Sequence, residues 1–129
     1  MLVYVCSPLK AYAYNTVYHN TEQAKKYCRH IATTTPYTPI APHIYCTEFL
    51  QDDIPEEREL GMKIGIELLA KCREIWVFGD YISEGMAKEI EYAQKNRITI
   101  KFFDENCNRR NEDEQNRTQT TYDPQKAEE

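Results

Sequence analysis

Chemistry in this chain is concentrated where Ser83-Glu-Gly-Met-Ala-Lys-Glu89 sets a hydroxyl, a glycine and a carboxylate at helical spacing. Residues on a helix advance 100° each, so faces follow from numbering alone. Met86, Ile90 and Ala93 form an apolar stripe. Glu84/Lys88 and Glu91/Lys95 are acid-before-base pairs at i,i+4 on the opposite, solvated side. Glu89 belongs to neither set, lying about 60° from Met86 on the edge of the buried stripe. Partial desolvation, with a helix start nearby to favour the charged form, suits a nucleophile. The same position also suits a boundary glutamate whose head snorkels to water. Ser83 falls where an N-cap belongs, and Gly85 leaves the first turn open, so an anion such as phosphate can approach the free N–H groups there. Ser-x-Gly opens many helices that bind nothing.

The elements that must position these residues alternate between strands and helices. Leu2–Cys6 predicts a buried strand ending at Ser7-Pro8. Residues 7–20 predict a long loop whose tyrosines, Tyr12, Tyr14 and Tyr18, either cover the core edge or form a stacking wall for a base. A helix capped by Thr21 is expected through Ala32, then an edge strand from Tyr37 to Pro42, since Pro39 fits only at an edge. His43 and Tyr45 follow in a loop that borders a ligand crevice in an open α/β sheet. A helix over about 56–71 takes Asp53 as N-cap. Its apolar and glycine positions spread over roughly 200° of arc, and Gly61 and Gly65 permit close approach. Both features predict a homodimer through this helix. Ile75–Phe78 predicts the central strand and Ile98–Phe103 the last.

The fold expected is α/β, Rossmann-like (flavodoxin-like) and three-layered, with a parallel sheet of about four strands in order 2-1-3-4 and helices on both faces. Residues 1–103 form the domain. Residues 104–129 are almost wholly polar and predict a disordered tail.

Composition narrows the partners. A chain of 129 residues, 41% hydrophobic and 29% charged, fits one core. The formal charge of −5 and the lack of a Lys/Arg run exclude a nucleic-acid surface and favour a small ligand. No stretch approaches a membrane span, and Met1-Leu-Val-Tyr-Val enters a strand directly, which predicts a cytoplasmic protein. Five cysteines without C-x-x-C spacing, and histidines His19, His30 and His43 without i,i+4 spacing, indicate neither a disulfide framework nor a metal site. Cys6 and Cys72 are expected to act as small buried hydrophobes. No cofactor is expected.

Cys72–Ala93, with Ser7 after the first strand, resembles the nucleoside 2-deoxyribosyltransferase superfamily. The likeness is to a short phage and bacterial branch with Ala-Pro-His as at Ala41–His43, Glu-Arg-Glu-Leu-Gly as at Glu57–Gly61, and Trp-Val-Phe-Gly followed by Ile-Ser-Glu-Gly-Met. It spans about residues 1–103. The resemblance implies that Glu89 attacks the anomeric carbon of a sugar, cleaving an N-glycosidic bond through a glycosyl-enzyme intermediate. Superfamily members acting on free nucleosides carry an aspartate six residues before that acid. Ser83 stands there instead, as in the nucleoside 5′-monophosphate N-glycosidases, which implies a nucleotide with its phosphate on Ser83, Gly85 and Ser7. The glycine- and arginine-bearing loop of those hydrolases is replaced by Cys6-Ser-Pro-Leu-Lys-Ala11, in which Lys10 supplies charge. The aspartate that handles the leaving base has Asp80 as its candidate counterpart, aiding base departure or orienting Glu89. Tyr12, Tyr14 and His43 complete the expected substrate contacts. The alternative is a non-catalytic, nucleotide-binding or sequestering protein.

Overall fold

A computed structural model describes residues 1–110 of the chain. Four strands, β1 (Leu2–Cys6), β2 (Thr38–Ile40), β3 (Glu74–Phe78) and β4 (Thr99–Phe103), form one sheet in the order β2-β1-β3-β4. Every pairing is parallel, with Val5 opposite Trp76 and Trp76 opposite Lys101. The helices are α1 (Val17–Thr34), α2 (Pro42–Cys46), α3 (Pro55–Leu69) and α4 (Glu84–Lys95). This is the expected α/β architecture, with β1 and β3 flanking the point where the strand order reverses.

The two faces follow from strand alternation. Tyr4, Cys6, Ile75, Val77 and Phe102 pack with Leu69, Met86, Ile90 and Ala93 beneath α3 and α4. Val3, Val5, Trp76, Phe78 and Phe103 face the other way and meet Tyr27 and Ile31 of α1. Tyr27 lies flat on Phe78 with ring centroids 4.2 Å apart. One helix is too narrow to cover that face. Aromatic packing of Trp76 on Phe103, at 4.7 Å, fills the remainder.

Several boundaries differ from the sequence expectation. The first helix begins at Val17, because Thr16 rather than Thr21 caps it and accepts a hydrogen bond from the His19 N–H at 3.0 Å. Thr21 instead bonds back to the Val17 carbonyl from inside the helix. Asp53 is not the N-cap of α3. Ile54 holds that place without a side-chain bond, and Pro55 starts the helix. His43 lies in the short helix α2 rather than in a loop.

The polar segment after β4 departs from expectation through Arg110. Asp104 accepts the N–H groups of Asn106 and Asn108 at 2.8 and 2.9 Å, turning the chain back so that Arg109 bridges to Phe103 and stands over its ring. Local side-chain-to-backbone bonds and the contact of Arg109 with the Phe103 ring hold this turn in place of a core of its own. The rest of the expected tail, 111–129, lies outside the described residues.

Gly61 and Gly65 face into the chain, so the close approach they allow is intramolecular. A Cβ at Gly65 would stand 2.9 Å from the Tyr4 hydroxyl, and one at Gly61 would stand 3.9 Å from Leu50. This removes the glycine argument for a homodimer through α3. Among the described residues, no helix is long and apolar enough to cross a membrane.

Candidate active site

Burial places Glu89 at the floor of a cleft. Tyr4 and Cys6 are two apart in β1 and so project to the same side, toward α4. A buried tyrosine needs a partner for its hydroxyl, and Tyr4 donates a hydrogen bond to Glu89 Oε2. The Cys6 thiol, 3.4 Å away, donates to Oε1. Cys6 is therefore more than the small hydrophobe expected, since its sulfur is one of two donors fixing the carboxylate.

The electrostatics differ from the helix-dipole expectation. Glu89 lies in the second turn of α4, where the dipole has faded. Desolvation dominates and raises its pKa to about 7, against the opposing pull of the Tyr4 and Cys6 hydrogen bonds. Near neutrality the group is therefore divided between its protonated and charged forms. Burial and the Glu89 charge push the Tyr4 hydroxyl and the Cys6 thiol well above their usual ranges, so both remain protonated donors.

The cleft encloses about 880 Å³ of space, the open solvent at its mouth included. Ser7, Lys10, Tyr12, His43, Ser83, Gly85 and Glu89 all line it. Ser7 is buried just beyond β1, and its Oγ lies 2.9 Å from His43 Nε2. Burial lowers the His43 pKa to about 4, so the ring is neutral and its proton placement can adapt to what Ser7 binds. Ser83 caps α4 by accepting from the Met86 N–H at 3.2 Å, which leaves its hydroxyl proton to donate.

Two expected site residues stand apart. Asp80 follows Gly79, whose φ of +92° turns the chain out of β3. Arg110 donates to the Gly79 carbonyl at 3.2 Å and pairs with the Asp80 carboxylate, whose side chain is 75% exposed. That pairing draws Asp80 away from the residues lining the cleft. Tyr14 is fully exposed, because Tyr12 and Asn15 exchange backbone hydrogen bonds around Ala13, at φ 53°, and put Tyr14 at the tip of the turn. Tyr18 and Tyr45 are also exposed. Tyr12 instead stacks on Tyr81, with ring centroids 3.7 Å apart and planes 14° from parallel, and both rings line the cleft.

Tyr4, Cys6, Arg58 and Tyr81 were not singled out by spacing. For Tyr4 and Cys6 the signal was present in strand alternation, which puts both on the face that α4 covers. Asn20 carries no such signal in spacing. Buried in the first turn of α1, it donates to the Leu9 and Lys10 carbonyls at 3.1 and 3.0 Å and holds the Lys10 loop against the cleft.

The tightest point is α3 against the acid, where a Cβ at Gly65 would also come within 3.4 Å of Glu89 Oε2. Gly65→Ala should push Tyr4 off Glu89 and lower turnover by about 10- to 100-fold, as small misplacements at reacting atoms do. Gly61→Ala, with only ordinary contact to Leu50, should stabilise the fold by about 0.5–1 kcal/mol. Chemical denaturation and initial rates on both variants check this pair, and unaltered rates in Gly65→Ala would count against the geometry.

Residues 1–103 match the family described as Domain of unknown function (DUF7768). No curated protein and no solved structure matches the chain.

Proposed function

The chain belongs to the DUF7768 family, and for it we infer cleavage of the N-glycosidic bond of a nucleoside or deoxynucleoside 5′-monophosphate, with Glu89 as nucleophile. The observation that carries this reading is the Glu89 carboxylate, pinned by Tyr4 and Cys6 at the floor of a cleft whose other walls offer hydroxyls, cations and stacked rings. Attack by a Glu89 oxygen on the anomeric carbon forms a glycosyl ester as the carbon–nitrogen bond breaks. The base leaves with the bonding pair and is protonated from water at the cleft mouth. A second water then hydrolyses the ester, returning the carboxylate and releasing the sugar 5-phosphate. The resemblance to nucleoside 5′-monophosphate N-glycosidases supports this chemistry, and the Ser83-Glu-Gly85 turn supports a phosphorylated substrate. Ser7 and Lys10 lie on the phosphate side of the reading, Tyr12 and Tyr81 on the base side.

One observation favours a second reading, nucleotide binding without turnover. Asp80, the candidate for handling the leaving base, does not line the cleft. Incubating the protein with a panel of ribo- and deoxynucleoside 5′-monophosphates, followed by chromatography for free base, separates the two. Base release supports the enzyme, whereas calorimetric binding with intact nucleotide supports sequestration. Neither binding nor release across the panel would sink both.

A further inference from the structure

On the reading above, the substrate brings a phosphate dianion into a cleft that already holds Glu89, and whose lining also includes Asp52, Glu57 and Glu84. An anion entering among four acids needs opposing charge. We propose that Arg58, on α3, is the residue that reads the phosphate and makes the protein prefer a nucleotide over a nucleoside.

The placement follows from helix geometry. Arg58, Met62 and Gly65 recur at i, i+4 and i+7, share one face of α3 and all line the cleft. Met62 reaches the start of α4, its sulfur 3.3 Å from where a Cβ at Gly85 would lie. One turn earlier on the same face, Arg58 lines the same cleft as Ser83 and Gly85.

The chemistry is equally specific. A guanidinium presents a rigid planar fork that matches phosphate oxygens two at a time, which the point charge of Lys10 does not. Among the described residues the Arg58 guanidinium forms no hydrogen bond or ion pair. The adjacent Glu57 is occupied elsewhere, accepting the Gln51 N–H at 2.9 Å, and Glu84 pairs with Lys88 at 3.4 Å. The charge on Arg58 is therefore available to a ligand.

Calorimetric titration with inorganic phosphate, and base-release kinetics on a nucleoside 5′-monophosphate and its parent nucleoside, test the assignment in wild type, Arg58→Ala and Arg58→Lys. Phosphate affinity should fall about 30-fold in Arg58→Ala, the loss expected for hydrogen bonds to a charged group, with Arg58→Lys between. KM for the nucleotide should rise by a similar factor, and the preference for nucleotide over nucleoside should narrow accordingly. Phosphate binding that depends on Arg58 in a protein that releases no base would keep this inference and reject catalysis. A wild type that does not bind phosphate, or an Arg58→Ala variant that keeps both its phosphate affinity and its nucleotide preference, would overturn it.

Discussion

Glu89→Gln is expected to stop base release, lowering kcat by on the order of 10⁴-fold, while the wild-type rate climbs with pH to a plateau above about 7. The size of the loss follows from the role, since an amide oxygen cannot form and release a glycosyl ester at a useful rate. The shape of the pH profile follows from burial. Only the carboxylate attacks, and desolvation holds its pKa near 7, so each unit of acidification below that value should cost kcat/KM about tenfold. Tyr4→Phe removes a donor that favours the charged form, so the midpoint should move upward while the plateau remains above it. Single-turnover base release measured between about pH 5 and pH 9 gives both numbers. A flat acid limb, or appreciable turnover by Glu89→Gln, would remove Glu89 from the nucleophile's role.

Where local pattern and tertiary packing agree, the sequence was legible. The apolar runs Leu2–Cys6, Ile75–Phe78 and Ile98–Phe103, spaced by helical segments, leave a parallel sheet as the natural solution, and Pro39 marks the edge strand. Ser83 was identifiable as an N-cap because its neighbours pair by sign across successive turns. Boundaries were less secure where two threonines compete. Thr16 and Thr21 are equally able caps by residue type, and the turn from Tyr12 to Asn15 that precedes the helix has no signature in composition. The turn after β4 was hidden for a related reason. A run of Asp, Asn and Arg ordinarily stays solvated, yet here Asp104 turns it back and Arg109 comes to lie over the Phe103 ring at the edge of the core.

The candidate site divides along the same line. Glu89, Ser83, Gly85 and Ser7 were visible because their positions on a helix start or strand end restrict what they can do. Asp80 is the candidate that the resemblance offers for the leaving base, but a positive-φ glycine and the Arg110 partner, 30 residues away along the chain, determine where it points. Tyr14 was chosen from residue type, and residue type cannot distinguish the tip of a turn from its base. Arg58 is not legible in the sequence, because a basic residue among Glu56, Glu57 and Glu59 resembles a solvated helix start. Only the packing of Met62 against Gly85 turns its face toward the cleft.

The same burial that tunes Glu89 for attack should cost the fold stability, and Glu89→Gln should recover it. Unfolded, the carboxyl ionises near 4.5; folded, near 7. Between those values the native state holds more protons than the unfolded chain, so stability falls as pH rises, with the full cost reached above about 7. A displacement from 4.5 to about 7 corresponds to at most about 3 kcal/mol. Glutamine keeps the shape of the side chain and an acceptor for Tyr4, but it carries no charge to desolvate. Relative to wild type, the variant should therefore gain little near pH 4 and about 3 kcal/mol near pH 8.5. Comparing the two proteins at each pH cancels every other titrating group, so urea denaturation at both values isolates this residue. A gap that does not widen with pH would mean that Glu89 is solvated in the native state, and the cleft floor would then be no place for a tuned nucleophile. A widening gap together with lost turnover would identify a carboxylate kept at the fold's expense, the trade expected of a residue retained for chemistry rather than packing.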